Sequence, residues 1–554
     1  MRDLTHRASD RFHTEWLQLG ALAAVSLFAF FHHLGLDLFG GSEGLYAVIT
    51  REMVRSREYV HLTYEGQPYF NKPSLFFWLL AASTRVFGDN EFALRLPSVL
   101  FGLGTVALTY QMGKILFSPR AGFWAALVVP TNYVFLWFGR RVLLDTALTF
   151  FMTLSLLAFV QGYRNPSQRW WYPTAFLAMA LGTMTKALHA FVLPLLVILA
   201  FLVIRRDLRP FQEKSFLIGL GLFLTLTVSY YAILGQAFRS HFLYQQNVDR
   251  VFSVSGLGAY TGDRPFWWYG GVIWYAFFPW SALIPSAVAL LWKQRTLRTE
   301  GWELFVLLWA GGVFLALTLA QGKREPYLMP LVPALGLLIG NYYNTALARP
   351  NSKQWFTRPL QAMLALLALA FALTLVARPS WLHRTLLLSP GVFPPAFAIV
   401  LLACCGVLGF AVARRRLLMA LYGTAVLSLM FVFAVVQFVL PALQQSTSVR
   451  HMVAGIQGTL ASSPGPFLLY SPGKRHLSEE VVYYLDQTAP VPHLRSEEAL
   501  VTAVQKAGQV IALMERPYLR VLEQRGDLSL HALKEYRQPK QDLVLVSIQF
   551  RQAK

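Results

Sequence analysis

Residues 215–235 read SFLIGLGLFLTLTVSYYAILG without a single charge, and Arg205, Arg206, Arg209 and Lys214 stand just before them. A run of about 20 apolar residues is long enough to cross the roughly 30 Å hydrocarbon core of a bilayer as a helix. Basic residues beside such a run mark the cytoplasmic end of the span. The same pairing of apolar run and basic loop recurs along most of the 554 residues. The chain is 55% hydrophobic and only 14% charged, against about 25% charged in an ordinary soluble domain. A single soluble globule is excluded, and the sequence predicts a polytopic all-α membrane protein.

Spans are expected at 17–39, 94–115, 119–138, 142–162, 170–184, 187–204, 215–235, 267–291, 303–320, 327–345, 359–376, 393–412 and 417–440, thirteen in all. Leu75–Phe87 is apolar but short, which suits an interfacial or re-entrant helix. With that choice, alternate short loops all carry basic residues. They are Arg2, Arg7 and Arg11; Lys114 and Arg120; Arg164 and Arg169; the Arg205 to Lys214 group; Lys293, Arg295 and Arg298; Arg349, Lys353 and Arg358; and Arg414, Arg415 and Arg416. All then face the cytoplasm. The first apolar run is long and lacks a small-residue cleavage site, so it is expected to stay as a span. The loops 40–93, 139–141, 185–186, 236–266, 321–326 and 377–392 fall on the outer, periplasmic face.

The net charge of +21 comes from 49 Lys and Arg against 28 Asp and Glu. In a soluble chain it would suggest nucleic acid; here most of it is topological, and no nucleic-acid partner is expected. Composition shifts near residue 445. Residues 446–554 hold 13 basic and 10 acidic side chains, a density suited to water. Two domains are therefore expected, 1–445 in the membrane and 446–554 as a small outer α/β domain. In the latter, helical stretches (Val449–Ala461, Glu479–Asp486, Glu497–Ala507, Tyr518–Gln524) alternate with apolar runs (Phe467–Tyr470, Val510–Leu513, Leu543–Phe550). Cys404 and Cys405 are adjacent within an apolar run, where packing is their expected role.

The outer face gathers the polar residues that need a reason. Ser42-Glu43 opens a helix that brings Glu43 and Arg51 to roughly one face, although Ser42 also fits an N-cap and Glu43 a first-turn acid with no chemistry. Asp145 follows Arg140-Arg141 at the mouth of the fourth span. A carboxylate near hydrocarbon is costly unless it faces protein or water, so Asp145 is either paired with Arg140 or Arg141 or helps to orient a polar acceptor or a positive side chain. Lys72, Lys186, Arg250, Lys323 and Arg324 sit against the positive-inside bias. Cations so placed either snorkel or bind anionic headgroups, arginine through two bonds at once. Together these residues fit a lipid-linked phosphosugar. Its phosphate would lie among the five cations while Glu43 or Asp145 deprotonates an acceptor attacking the anomeric carbon. No nucleotide, metal or other cofactor is required.

The run Ser42-Glu43-Gly-Leu-Tyr46-Ala-Val-Ile-Thr-Arg51-Glu52-Met53, then Tyr69-Phe70-Asn71-Lys72-Pro73, then Asn90-Glu91-Phe92-Ala93-Leu94-Arg95 resembles the bacterial dolichyl-phosphate-mannose protein mannosyltransferase-like glycosyltransferases. It is similar to their 4-amino-4-deoxy-arabinose lipid A transferase branch. Arg140 to Asp145, Thr185-Lys186, Trp267-Trp268-Tyr269, Pro279-Trp280 and Lys323-Arg324-Glu325 with Tyr327-Leu328-Met329-Pro330 follow in the same order. The resemblance implies a GT-C fold and an inverting glycosyltransferase using a polyprenyl-phosphate sugar at the periplasmic side of the inner membrane. It implies Glu43 and Asp145 as catalytic carboxylates, and Arg51, Tyr69, Lys72, Arg140, Lys186, Arg250, Lys323, Arg324 and Tyr327 as substrate-binding residues. The partners implied are the donor, membrane lipids and a glycan, lipid or protein acceptor.

Two positions depart from the family pattern. Ser42 stands where the family has an Asp, which leaves the base to Glu43 or Asp145. Asn71 and Asn247 stand at a Glu and a His suited to zinc, so no metal site is expected. Two rival readings are a lipid-linked sugar flippase and a non-catalytic lipid-binding relative. A transporter would place polar residues near mid-membrane and often carry inverted repeats, whereas here they collect at one face and no repeat is found.

Overall fold

The computed structural model describes residues 2–37, 42–242, 264–293, 301–348, 395–414, 416–472, 479–485, 491–537 and 542–551. The expected span at 359–376, together with Asn247 and Arg250, lies outside them. Among the described residues, five helical stretches are long and apolar enough to cross a membrane: Thr14–Phe31, Glu91–Leu116, Leu144–Arg164, Lys214–Ile233 and Tyr422–Gln444. Trp268–Ala276 and Trp280–Leu291 make a sixth if that bent pair is one span.

The first half runs α1 (Arg2–Phe31), α2 (Ser42–Ser56), a short antiparallel hairpin of β1 (Thr63–Tyr64) and β2 (Gln67–Pro68), α3 (Leu75–Phe87), α4 (Glu91–Leu116), α5 (Pro119–Thr131), α6 (Tyr133–Phe138), α7 (Leu144–Arg164), α8 (Trp171–Thr185), α9 (His189–Arg205) and α10 (Lys214–Ile233). Local chemistry sets several ends. Asn90 accepts from the Ala93 N–H to open α4, and Ser118 accepts from the Ala121 N–H ahead of Pro119 to open α5. Inside α4 and α7, Thr105, Thr109, Thr149 and Thr153 return their hydroxyls to the carbonyl four residues back, so these buried polar groups are satisfied within their own helix.

Two expected spans are broken. At 119–138 the break is Asn132, whose amide donates to the Val128 and Val129 carbonyls at 2.7 and 2.9 Å and accepts from the Phe135 N–H at 3.0 Å. One side chain thus caps the end of α5 and the start of α6. At 267–291 the two halves are bent by 113°. Pro279 cannot continue the ladder and disfavours helix at the residue before it. The freed Phe278 carbonyl accepts from the Tyr133 N–H at 3.1 Å, and Trp280 donates to Thr131 at 2.9 Å. Broken helices are tolerated at membrane depth only with such replacement partners.

The C-terminal region forms a five-stranded sheet in the order β4-β3-β5-β7-β6, from β3 (Phe467–Tyr470), β4 (His493–Leu494), β5 (Gln509–Glu515), β6 (Leu528–Arg537) and β7 (Asp542–Phe550). β3 pairs in parallel with β4 and β5, while β7 runs antiparallel to β5 and β6. Alternation sorts each strand's side chains between two faces. Leu468, Val510, Ala512, Val544 and Val546 pack with Leu500, Val504 and Leu522 of the helices Glu497–Ala507 and Arg516–Glu523. Leu469, Ile511, Leu513, Leu543 and Leu545 point the other way. They share one core with Met452, Val453, Val481 and Val482, and with Tyr46, Ile49, Phe76 and Phe77 of α2 and α3. The shift in composition near residue 445 is therefore not a break in packing.

A buried relay ties the sheet edge to the first hairpin. Ser471 hydrogen-bonds His493 Nε2 at 2.9 Å, and His493 Nδ1 meets Glu65 at 2.7 Å. The order is that of a hydrolase triad, but Ser471 is 1% exposed, its N–H is bound to the Leu494 carbonyl, and Pro472 follows with no N–H to offer. It acts as a latch.

Gly44 allows α2 to touch the helix Glu479–Leu485, because a Cβ at Gly44 would lie 2.7 Å from backbone atoms of Glu479 and Glu480. Gly44→Ala is therefore expected to cost about 1–3 kcal/mol by overpacking, read as a lower thermal unfolding midpoint of the detergent-solubilised chain; an unchanged midpoint contradicts the contact.

Candidate active site

Asp145 is the second residue of α7, where a carboxylate faces the positive end of the helix dipole. It is 5% exposed. Lys186, the residue that ends α8, places its ammonium on Asp145 Oδ1 as a buried ion pair. The same ammonium lies 4.6 Å from the centre of the Tyr327 ring, within cation–π range. Packing of α7 against α8, and of α7 against the turn Glu325–Leu331 that carries Tyr327, brings the three together. Asp145 Oδ2 has no hydrogen-bond partner among the described residues.

The loop before that turn is held by a tyrosine. Tyr269 is fully buried, and its hydroxyl donates to the Arg324 carbonyl at 2.9 Å and accepts from the Arg324 N–H at 3.0 Å. Both backbone groups of Arg324 are thus fixed while its side chain is exposed. Lys323 turns inward, donating to the Ala320 carbonyl at 2.6 Å, and burial pushes its ammonium below the usual lysine range. Arg264 donates to the Lys323 carbonyl at 3.2 Å and covers the Trp268 ring at 4.1 Å. Tyr46 of α2 completes the group. Its phenol pKa is raised by burial and then by the charges of Asp145 and Tyr327, with Arg324 opposing.

Glu43 occupies a different environment. It is 1% exposed. Arg95 donates to both of its oxygens, at 3.0 and 3.1 Å, and the Val142 N–H donates at 3.0 Å. Arg95 also donates to the Leu34, Leu36 and Asp37 carbonyls. Burial raises the Glu43 pKa, but the charge and hydrogen bonds of Arg95, helped by Arg141 and Val142, hold it at about 2. A carboxylate so committed is a weak base. Through the Val142 N–H, three residues before Asp145, it ties the N-terminus of α2 to the approach to α7.

The remaining expected residues are dispersed. Arg140 donates to the Ala29 and His32 carbonyls at the end of α1, and Arg141 covers the Trp137 ring at 4.5 Å. Neither forms an ion pair with Asp145. Arg51 is bound to Asp89 at 2.6 Å and to the Tyr483 carbonyl at 2.6 Å, with its guanidinium 3.9 Å from the Tyr483 ring centre. Tyr69 sits in the α2–α3 core, its N–H bound to the Leu62 carbonyl at 2.8 Å. Lys72 lines a narrow crevice with His61, Phe70, Ser74 and Phe238. Beside it Asn71 meets His241 at 2.9 Å, and among the described residues no three His, Cys, Asp or Glu side chains come together. Asn247, expected at that partner position, is outside the described residues.

Sequence reasoning quoted Arg95 and Tyr269 within motifs without assigning them a role, and it passed over His241. Their signals were a second buried-facing arginine after the first loop and a tyrosine in a tryptophan-rich turn.

Residues 71–231 match the family described as dolichyl-phosphate-mannose-protein mannosyltransferase. Over the whole chain, the crystal structure of ArnT from Cupriavidus metallidurans bound to undecaprenyl phosphate superposes with a TM-score of 0.72, covering 96% of this chain and 97% of that one at 20% identity. The chain resembles the GT-C glycosyltransferases and has the ArnT fold. Among curated relatives it is similar to the undecaprenyl phosphate-alpha-4-amino-4-deoxy-L-arabinose arabinosyl transferases of Edwardsiella ictaluri, 27% identical over 56% of each chain, and Pseudomonas aeruginosa, 28% identical over 59% of this chain and 60% of the relative. An uncharacterised Aquifex aeolicus protein is 28% identical over 58% of this chain and 62% of its own length. The chain thus spans about three fifths of the length of the curated relatives it matches.

Removing one partner of the buried Glu43–Arg95 pair leaves an uncompensated charge, so Arg95→Met is expected to destabilise the chain by about 3–5 kcal/mol. Because the folded pKa of Glu43 lies below its ordinary 4.5, the stabilisation is complete above 4.5 and is lost as pH falls toward about 2. Glu43→Gln should flatten that acid limb of a stability–pH profile measured by thermal unfolding; an acid limb identical to wild type refutes the pairing.

Proposed function

We propose that the chain is a glycosyltransferase that moves a sugar from a polyprenyl-phosphate donor to an acceptor at the outer face of the bacterial inner membrane, inverting the anomeric centre. The observation that carries this reading is the buried Asp145–Lys186 pair capped by Tyr327 beside the exposed Arg324. The names of the arabinosyl transferase relatives, all built on undecaprenyl phosphate, support the donor class. Sidedness rests on the basic inner loops, with thirteen spans and a periplasmic domain at 446–554. Sugar and acceptor are left open by the pocket residues. Ser42 and Asn71 depart from the aminoarabinose branch, and the acceptor is a lipid A, another glycan or a protein.

In the proposed step the donor phosphate draws Lys186 away from Asp145 and is met by Arg324; Lys72, Arg250 and Lys323 are proposed as further donor-binding cations. An acceptor hydroxyl or amine then attacks the anomeric carbon. As the new bond forms, the bond to the phosphate oxygen breaks, the electron pair leaves with the phosphate, and the acceptor proton passes to Asp145. Glu43 holds the approach to α7 in place and takes no proton.

Membranes carrying the chain, supplied with a polyprenyl-phosphate sugar and its acceptor, provide the test. Asp145→Asn is expected to lower transfer per folded molecule by about 10²–10⁴-fold, the usual contribution of a general base. Lys186→Met should lower it while raising KM for the donor, and Glu43→Gln should chiefly lower the amount of folded protein. Full transfer by Asp145→Asn would overturn the mechanism and favour a transporting or non-catalytic role.

A further inference from the structure

At the opposite end of the spans from Asp145, α1 and α4 diverge and leave a groove of about 580 Å³ between them. Its walls are apolar, with Leu19, Leu22 and Ala23 from α1 and Leu103, Val106 and Ala107 from α4. Ser26, deep in the groove, returns its hydroxyl to the Leu22 carbonyl at 2.7 Å, so its one donor is already used. The remaining polar lining is at the mouth, where Glu15, Tyr110 and Lys114 meet with Gln111 beside them. Tyr110 donates to Glu15 Oε1 at 2.6 Å, and the Lys114 ammonium forms an ion pair with the same oxygen.

That arrangement is half complete. Glu15 Oε2 has no hydrogen-bond partner among the described residues, and Lys114 uses one of its three N–H donors there. Both side chains are partly exposed, at 30% and 40%. The mouth therefore presents one open anionic acceptor beside one open cationic donor. A ligand carrying an ammonium and a phosphate together would complete both.

Depth decides what fills the rest. From Glu15 to Ser26 on α1, and from Lys114 back to Leu103 on α4, is eleven residues, or about 16 Å of helix rise. Half of a bilayer's hydrocarbon core is about 15 Å. The lining residues thus span about the depth of one leaflet's hydrocarbon. Trp16 stands at its mouth, 60% exposed, in the interfacial position that tryptophan favours. A polyprenyl chain is far longer than this lining, whereas one acyl chain of a single leaflet matches its length.

We infer that the α1–α4 groove is a binding site for an amine-bearing glycerophospholipid of the cytoplasmic leaflet, phosphatidylethanolamine by chemistry. One acyl chain lies between Leu22 and Val106, the ammonium sits on Glu15 Oε2 and the phosphate on Lys114. The bound lipid closes the wedge between α1 and α4. This site shares no residue with the proposed transfer chemistry.

The full chain in nanodiscs made from equal parts of phosphatidylethanolamine and phosphatidylglycerol, analysed by native mass spectrometry, tests this directly. One phosphatidylethanolamine is expected to be retained per chain, in about tenfold preference to phosphatidylglycerol, the ratio that one charge-assisted hydrogen bond to the ammonium corresponds to. Glu15→Gln should abolish the preference for the amine headgroup while some lipid stays bound. Ala107→Trp, which fills the groove, should remove the retained lipid. Equal retention of both phospholipids by the wild type, retention of a polyprenyl phosphate in their place, or a preference indifferent to Glu15→Gln would each overturn the assignment. The wild-type competition decides the matter even if a variant fails to fold.

Discussion

One guanidinium holds the ends of several helices together. Arg95, buried in α4, donates to both oxygens of Glu43 and to three carbonyls of the segment leaving α1. A buried arginine is tolerable only when its donors are matched, and this one has five such bonds in a planar fork suited to the task. The consequence passes along the chain. Glu43 fixes the N-terminus of α2 and, through the Val142 N–H, the approach to α7. Asp37 and Glu91 are in turn bound by Arg450, and Glu91 accepts from Tyr484. The ion pair thus sits at the crossing of α1, α2, α4, α7 and the C-terminal helices.

Two buried carboxylates, Glu43 on α2 and Asp145 on α7, have opposite surroundings. Glu43 is saturated by a rigid arginine and a backbone N–H. Asp145 is held by a single lysine, whose flexible ammonium also faces an aromatic ring. An arginine fork resists exchange, while a lysine is a point charge that can move to a phosphate. The difference in partner, more than the acids themselves, separates a fully matched carboxylate from one held by a single movable charge.

Much of the fold was legible because bilayer thickness and loop charge leave strong marks. α4, α7 and α10 follow their apolar runs closely, and Phe467–Tyr470 and Glu497–Ala507 match their expected limits. The breaks at Asn132 and Pro279 were not read, since mean hydropathy does not register a side chain that caps two helices or a carbonyl captured from afar. Strand β6 (Leu528–Arg537) was missed as well, because an edge strand with charged residues lacks an apolar run. In the site, Asp145, Lys186 and Tyr327 were named from sequence and do meet. Arg51 was named for sharing a helix face with Glu43 and for the run it stands in, and its partners Asp89 and Tyr483 are 38 and 432 residues away. No local pattern announces which distant group a buried charge will choose.

The shared core beneath the sheet has a consequence for how the chain is made. Ile49, Phe76 and Phe77 find part of their packing only in Leu469, Leu513 and Leu545, and Arg51 waits for Tyr483. During synthesis the first outer segment therefore emerges long before the surfaces it needs. It must remain unfinished until the final stretch of polypeptide arrives. A prematurely ended product would insert its helices and yet lack a settled α2, so this part of the fold matures only once the C-terminal sheet has been made.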